Sequence, residues 1–165
     1  MKLSVKLFTG AEKLPDLEYN EKDQEFIDFI KEDALSLQNQ KICKVYMFNN
    51  GEKNIGYCAL SMDSIKSLFF EEKIHTRFKI PALKIGRLFV HKDFRGNGYG
   101  TEMISWCISK AYKVSRIFGC RFVIVDAIKD KVNWYKKRGF EVIPEQESQT
   151  KENYKMFFDL EVLKN

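Results

Sequence analysis

The sequence predicts a mixed α/β domain, a single sheet with helices on both of its faces. Three observations predict it. Short apolar runs of strand length recur along the chain, some alternating with polar residues and one nearly continuous. Longer runs with helical spacing lie between them. The resulting order is strand, helices, three strands, helix, strand, helix, two strands. At 165 residues, with 44% hydrophobic and 31% charged side chains, the chain suits one domain, residues 1–165, with a sizeable core.

Each element has a local reason. Met1 to Phe8 alternates polar and apolar residues and reads as the first strand, not as a signal sequence, which needs a continuous apolar stretch. In "LPDLEYNEKDQEFIDFIKEDALSLQNQ", Phe26, Ile27, Phe29 and Ile30, then Ala34, Leu35 and Leu37, recur at helical spacing, giving one helix or two. "KICKVYMF" and "IGYCALSM" flank the turn "NNGEKN" and form a hairpin. Asp63 to Ile80 has no clear period and reads as a loop with a short helix. "ALKIGRLFV" is the fourth strand. Thr101 to Phe118 is an amphipathic helix with Gly119 as its stop. "RFVIVDA" is a strand covered on both faces. "KDKVNWYKKR" is a short helix closed by Gly139, and "FEVI" and "YKMFFDL" are closing strands.

Composition narrows the function classes. The net charge of +5 suits an anionic ligand, and equally an ordinary solvated basic surface. The four cysteines, Cys43, Cys58, Cys107 and Cys120, form no C-x-x-C pair, and the two histidines, His75 and His91, form no cluster. That argues against a metal site and for buried thiols in a reducing cytoplasm. No run of about 18 apolar residues occurs, so no membrane span is expected.

The chemistry concentrates in "FVHKDFRGNGYGTEMI", residues 89–104, where three of the nine glycines fall within five positions between a strand and a helix. A Rossmann fingerprint needs G-x-G-x-x-G in the first strand-to-helix turn. Here the pattern is G-x-G-x-G past mid-chain, although Asp126 ends the next strand as a ribose-binding acid would. A P-loop needs G-K-[ST], and "GYGTE" has no lysine. A plain turn needs fewer glycines. The remaining reading is a metal-free pyrophosphate cradle, with N–H groups of Gly96, Gly98, Tyr99 and Gly100 converging at a helix start and Arg95 adding charge.

These residues resemble the GNAT superfamily of N-acetyltransferases. Arg95, Gly98 and Gly100 match its acyl-CoA signature, [R/Q]-x-x-G-x-[G/A]. Trp134–Tyr135 and Gly139–Phe140 in "RFVIVDAIKDKVNWYKKRGFEVI" match its second conserved region. The resemblance implies a mostly antiparallel sheet of about six to seven strands, splayed between the fourth and fifth. It implies acetyl-CoA as co-substrate, held by Arg95, Gly96, Asn97, Gly98, Tyr99, Gly100 and Thr101 and along the backbone of Leu88, Phe89 and Val90. Asn133 is a further candidate for the cofactor arm, though it is equally readable as a solvated helix residue. Tyr135 would be the general acid that protonates the departing thiolate, the competing reading being an aromatic packing partner of Trp134. The fourth strand carries no carboxylate, so no general base is assigned, and Arg87 reads equally as acceptor-site lining or as an ion pair.

The reaction implied is direct acetyl transfer to an amine. The acceptor, a small molecule or a protein, is not named by any residue. Charged tRNA is compatible with the +5 charge and with "KVNWYKKR" but is not favoured by it, and nothing favours monomer over homodimer. The rival class is a non-catalytic acyl-CoA-binding or regulatory module on the same fold.

Overall fold

The computed structural model describes residues 2–15, 21–144 and 152–164. Seven strands hydrogen-bond in the order β1-β2-β3-β4-β5-β7-β6. They are β1 (Ser4–Leu7), β2 (Lys44–Asn49), β3 (Asn54–Ile65), β4 (Ile80–Val90), β5 (Phe122–Ile128), β6 (Glu141–Val142) and β7 (Asn153–Asp159). The helices are α1 (Gln24–Asp28), α2 (Ala34–Asn39), α3 (Tyr99–Ser115) and α4 (Val132–Lys136), with a π-helical segment, Phe29–Asp33, joining α1 to α2. The ladders β1–β2, β2–β3, β5–β7 and β6–β7 are antiparallel. β4 and β5 are parallel, and their register runs only from Ala82↔Phe122 to Ile85↔Val125. Four pairs on an eleven-residue strand are what a splay between these two strands requires.

The chain divides into two compact units, one comprising Met1–Ser61 with Gly86–Ser105, the other Met62–Ile85 with Trp106–Asn165. In the first, Phe8, Phe29, Ile30, Ala34, Val45, Met47, Tyr57 and Phe89 form a core of strand and helix residues. The buried Gln38 amide fastens α2 to the strands. Its Nε2 donates to the Phe8 carbonyl at 2.7 Å, and its Oε1 accepts from the Val45 N–H at 2.8 Å. Both polar ends are satisfied, so this burial carries no desolvation penalty of an orphaned group.

In the second unit, Phe70, Phe122 and Phe157 pack mutually in tilted and edge-on contacts with centroids 4.6–5.2 Å apart, beside Ile65, Ile80, Ala82, Ile124 and Ile143. At its rim the Arg121 guanidinium meets the Asp159 carboxylate along two edges, at 2.8 and 3.1 Å. Burial alone would raise the Asp159 pKa. The bond from Arg121, the Glu161 N–H and the charges of Arg121 and Lys73 outweigh it, and the net direction is down.

Two sequence expectations need correction. Helix α3 runs from Tyr99 to Ser115, not Thr101 to Phe118, and Gly119 is not its cap. The helix closes with i→i−3 bonds, Arg116 N–H to Lys113 and Ile117 N–H to Val114, and Gly119 has no left-handed φ. Ile117 and Phe118 are more than 70% exposed, so no apolar stripe carries the helix on. The segment 63–80 begins as strand, because β3 continues to the buried Ile65. Only then comes the short helix, a 3-10 turn at Ser67–Phe70.

Candidate active site

In the first unit, the site is built on the second half of β4 and the loop that follows. The His91 N–H donates to the Ile55 carbonyl of β3 at 2.8 Å. Backbone groups alternate in direction along a strand. Phe89 therefore also faces β3, whereas Leu88 and Val90 turn their N–H and C=O groups the other way. The Phe89 side chain is buried, 5.3 Å from Phe26 and 5.8 Å from Tyr57, while Leu88 and Val90 are half-buried. Of the three strand residues, Leu88 and Val90 present backbone groups away from β3, and Phe89 supplies the packing that holds them.

The turn into the loop is fixed by His91, which is fully buried. Its Nδ1 accepts the Asp93 N–H at 3.1 Å and its Nε2 lies 3.2 Å from the Pro15 carbonyl, which sets the tautomer with hydrogen on Nε2. The 3-10 turn Lys92–Phe94 follows. Asn97 is exposed and braces the loop from within, its Nδ2 donating to the carbonyls of Phe94 and Arg95 at 3.2 and 3.3 Å. Gly96 and Gly98 have φ of +79° and +83°, a region that side chains other than glycine's rarely enter. A Cβ at either position would meet no protein atom within 4 Å, so it is the backbone path, not crowding, that demands glycine. Open space in front of two left-handed glycines suits the close approach of an anion.

Helix α3 begins immediately after, with Tyr99 buried and the Glu102 N–H bonding the Gly98 carbonyl at 3.2 Å. The opening turn, Tyr99, Gly100 and Thr101, thus directs its N–H groups and the positive end of a 17-residue helix back toward the glycines.

Arg95 makes intramolecular contacts that the sequence does not reveal. Its Nε donates to the Val90 carbonyl at 2.8 Å, and its Nη2 donates to Asp23 Oδ1 at 2.8 Å. Asp23 escaped notice because "NEKDQEF" reads as a solvated polar face and its partner lies 72 residues away. Arg87 is an ion pair. Its Nη1 lies 2.7 Å from Glu25 Oε1 and its Cζ is 4.4 Å from the Phe29 ring.

In the second unit, Tyr135 lies on α4. Its ring makes edge contacts with Trp134 (4.9 Å) and Phe140 (5.5 Å). Among the described residues its hydroxyl has no hydrogen-bond partner. Burial, and secondarily the electrostatic influence of Cys107, pushes its pKa up to about 12, so the phenol keeps its proton at any physiological pH. Arg138 holds Trp134 in place, donating to its carbonyl at 2.7 Å and stacking 3.8 Å above its ring. Gly139, φ +88°, ends the α4 turn, and Asn133 is exposed on the same helix. Asp126 pairs with Lys84 Nζ at 3.1 Å, which makes it a strand-to-strand ion pair rather than a ribose ligand. All four cysteines are free, and burial raises the thiol pKa of Cys43 and Cys120. Among the described residues, no group of three His, Cys, Asp or Glu could hold a metal ion. No described helix is long and apolar enough to cross a membrane.

The model of the acetyltransferase (GNAT) domain matches residues 41–142. The chain belongs to the GNAT family. It is an N-acetyltransferase. Probable toxin TacT of Sinorhizobium fredii is 25% identical over 131 residues, covering 71% of this chain and 72% of that protein. Among solved structures, a tyrosine-to-phenylalanine mutant of KacT matches with a TM-score of 0.82 at 17% identity, covering 99% of this chain and 98% of that one. AtaT complexed with acetyl-methionyl-tRNAfMet gives 0.77 at 19%, covering 98% and 97%. A mutant AtaT bound to the C-terminus of the antitoxin AtaR and acetyl-CoA gives 0.76 at 16%, covering 98% and 95%. At these identities the solved structures establish the GNAT fold.

Proposed function

We propose that this GNAT acetyltransferase transfers the acetyl group to the α-amine of an aminoacyl-tRNA. The loop Arg95–Thr101, with Leu88, Phe89 and Val90 beside it and Asn133 as a further contact, binds acetyl-CoA. The single observation carrying the donor site is the pair of left-handed glycines, Gly96 and Gly98, facing open space at the start of a 17-residue helix. The tRNA reading is supported by the AtaT complex with acetyl-methionyl-tRNAfMet, whose fold this chain shares over 98% of its length. The net charge of +5 and the basic residues Lys129, Lys131, Lys136 and Lys137 around α4 suit a polyanion. The setting is the cytoplasm, where charged tRNA is found.

In this reading the neutral amine attacks the thioester carbonyl carbon. A C–N bond forms as the C–S bond breaks, and a backbone N–H of β4 stabilises the oxyanion. Tyr135 gives its proton to the departing sulfur and regains one from solvent, while the proton of the attacking amine leaves to solvent. A phenol whose pKa is held up to about 12 is fully protonated when the thiolate needs it. Tyr135 also argues against the non-catalytic module, which needs no acid. By extension from the AtaT complex with an antitoxin C-terminus, an inhibitory protein partner belongs to the same proposal.

The test is transfer of radiolabelled acetyl from acetyl-CoA to a set of charged tRNAs, with uncharged tRNA, free amino acids and peptides in parallel. Label confined to charged tRNA, and released with the amino acid on mild alkaline hydrolysis, is the expected result. Efficient labelling of a free amine or peptide with none on charged tRNA overturns the acceptor.

A further inference from the structure

Arg95 belongs to the donor loop, yet half of its hydrogen bonding is spent on a residue far from it. Asp23, in the turn that opens α1, is 5% exposed. Its Oδ1 accepts from Arg95 Nη2 at 2.8 Å, and its Oδ2 is buried with no partner among the described residues. The other edge of the guanidinium is held too, Nε to the Val90 carbonyl at 2.8 Å, with Cζ 5.6 Å from the centre of the Phe89 ring. A guanidinium has five N–H donors in one plane. Two are committed to fixed partners on different elements, which sets the plane, and the side chain stays 43% exposed.

We propose that Asp23 is a positioning residue for acetyl-CoA: by fixing the Arg95 plane from the first helical segment, it pre-aims the remaining N–H donors at the donor's phosphates. This rests on the reading of Arg95–Thr101 as the acetyl-CoA cradle. An arginine free in solvent loses several rotatable bonds' worth of freedom when it binds phosphate, and one already held at two edges loses little. Electrostatics alone gives the opposite sign. Asp23 is a negative charge beside a phosphate-binding cation, so a charge count says that removing it tightens acetyl-CoA binding. The two accounts therefore differ in the direction of one measurement.

Asp23→Asn keeps the shape and removes the charge. The expected result is a Kd and KM for acetyl-CoA raised about three- to tenfold, with kcat at saturating donor within about twofold of wild type. Arg95→Lys, which leaves Asp23 and the positive charge but lacks the planar fork whose separate nitrogens hold Asp23 and the Val90 carbonyl, is expected to show the same loss. It serves where Asp23→Asn folds poorly. In an Arg95→Ala background Asp23→Asn should add nothing, since it acts only through the guanidinium. Unchanged or tighter acetyl-CoA binding in Asp23→Asn, or unchanged binding in Arg95→Lys, overturns the proposal. Gly98→Val separates it from the reading beneath it. If that variant also binds acetyl-CoA normally, the cradle itself is misassigned. If it binds weakly while Asp23→Asn binds normally, only the positioning role falls.

Discussion

Gly56 lies so close to the backbone of Phe89 that an added Cβ would overlap the Phe89 carbonyl oxygen. The neighbouring atom is backbone, so it cannot swing aside. Gly56→Ala should destabilise the protein by about 1–3 kcal/mol, toward the upper end, through strain between β3 and β4. Gly86→Ala is the internal comparison. Its Cβ would sit 3.7 Å from the Ala59 carbonyl oxygen, an ordinary contact, and should be nearly neutral. Denaturant titration of both variants checks the difference. Equal midpoints would mean that β4 can shift freely at Phe89.

Gly98→Val places a β-branched side chain at φ +83° and projects it into open space before the helix start. The backbone strain should cost on the order of 1–3 kcal/mol of stability. Acetyl-CoA affinity should fall by about tenfold or more, each tenfold being about 1.4 kcal/mol. Calorimetric titration at a temperature where the variant is fully folded measures the second effect apart from the first.

Tyr135→Phe removes one hydroxyl and keeps the ring against Trp134 and Phe140. Turnover should drop by about 10²–10⁴-fold while acetyl-CoA affinity stays close to wild type. Single-turnover kinetics on a substrate whose chemistry is rate-limiting is the appropriate readout. Equal rates would leave Tyr135 as a packing residue only.

The raised Tyr135 pKa gives a pH signature. As the proposed acid, Tyr135 acts when protonated, and its pKa is pushed from 10.0 up to about 12. Turnover should therefore show no alkaline decline between about pH 8 and 10, where an ordinary phenol begins to ionise. Stability follows the same sign. It is unaffected by this group below the unfolded value of 10.0, then falls as pH rises toward about 12, because the unfolded state ionises first. A decline in kcat centred near the ordinary phenol value would show that Tyr135 is not shielded as described.

Asp159 acts at the other end of the scale. Its folded pKa is depressed below 3.8, so it contributes stability above that value and loses it as pH falls through the folded pKa. Asp159→Asn should lower stability at neutral pH and flatten its dependence on pH as the medium is acidified below the ordinary carboxylate range. Urea denaturation at a series of acidic pH values checks both, and an unaltered acid slope would place the dependence on other carboxylates.

The strands and helices were legible because their signals are local. Alternation in "MKLSVKLF", the continuous run in "RFVIVDA" and the stop at Gly139 each depend on neighbours within a few residues. The glycine loop was legible for the same reason, since glycine is the residue that a positive φ demands. Gly119 misled because glycine after an amphipathic run is a common cap, whereas here tight i→i−3 bonds end the helix first. The long-range pairs were not legible. Asp23 with Arg95 and Glu25 with Arg87 join residues 72 and 62 positions apart, and each acid reads locally as surface charge. His91, with one ring nitrogen bonded to Asp93 and the other to Pro15, gave no sign in the sequence that it is fully buried.

The π-helical segment Phe29–Asp33 sets the rotational phase of everything after it. One residue turns an α-helix by about 100°, so an extra residue within a turn offsets α2 from α1 by roughly that angle. Phe29 and Ile30 at the start of the segment and Ala34 and Gln38 after it are all buried. Deleting one residue here, Lys31 for instance, would give a regular helix with better backbone bonds. It would also rotate Gln38 away from the Phe8 carbonyl and the Val45 N–H, leaving two buried backbone groups unanswered. The irregular turn is thus the vernier that lets a single helical segment address two sets of strand partners, and regularising it would detune the one end by correcting the other.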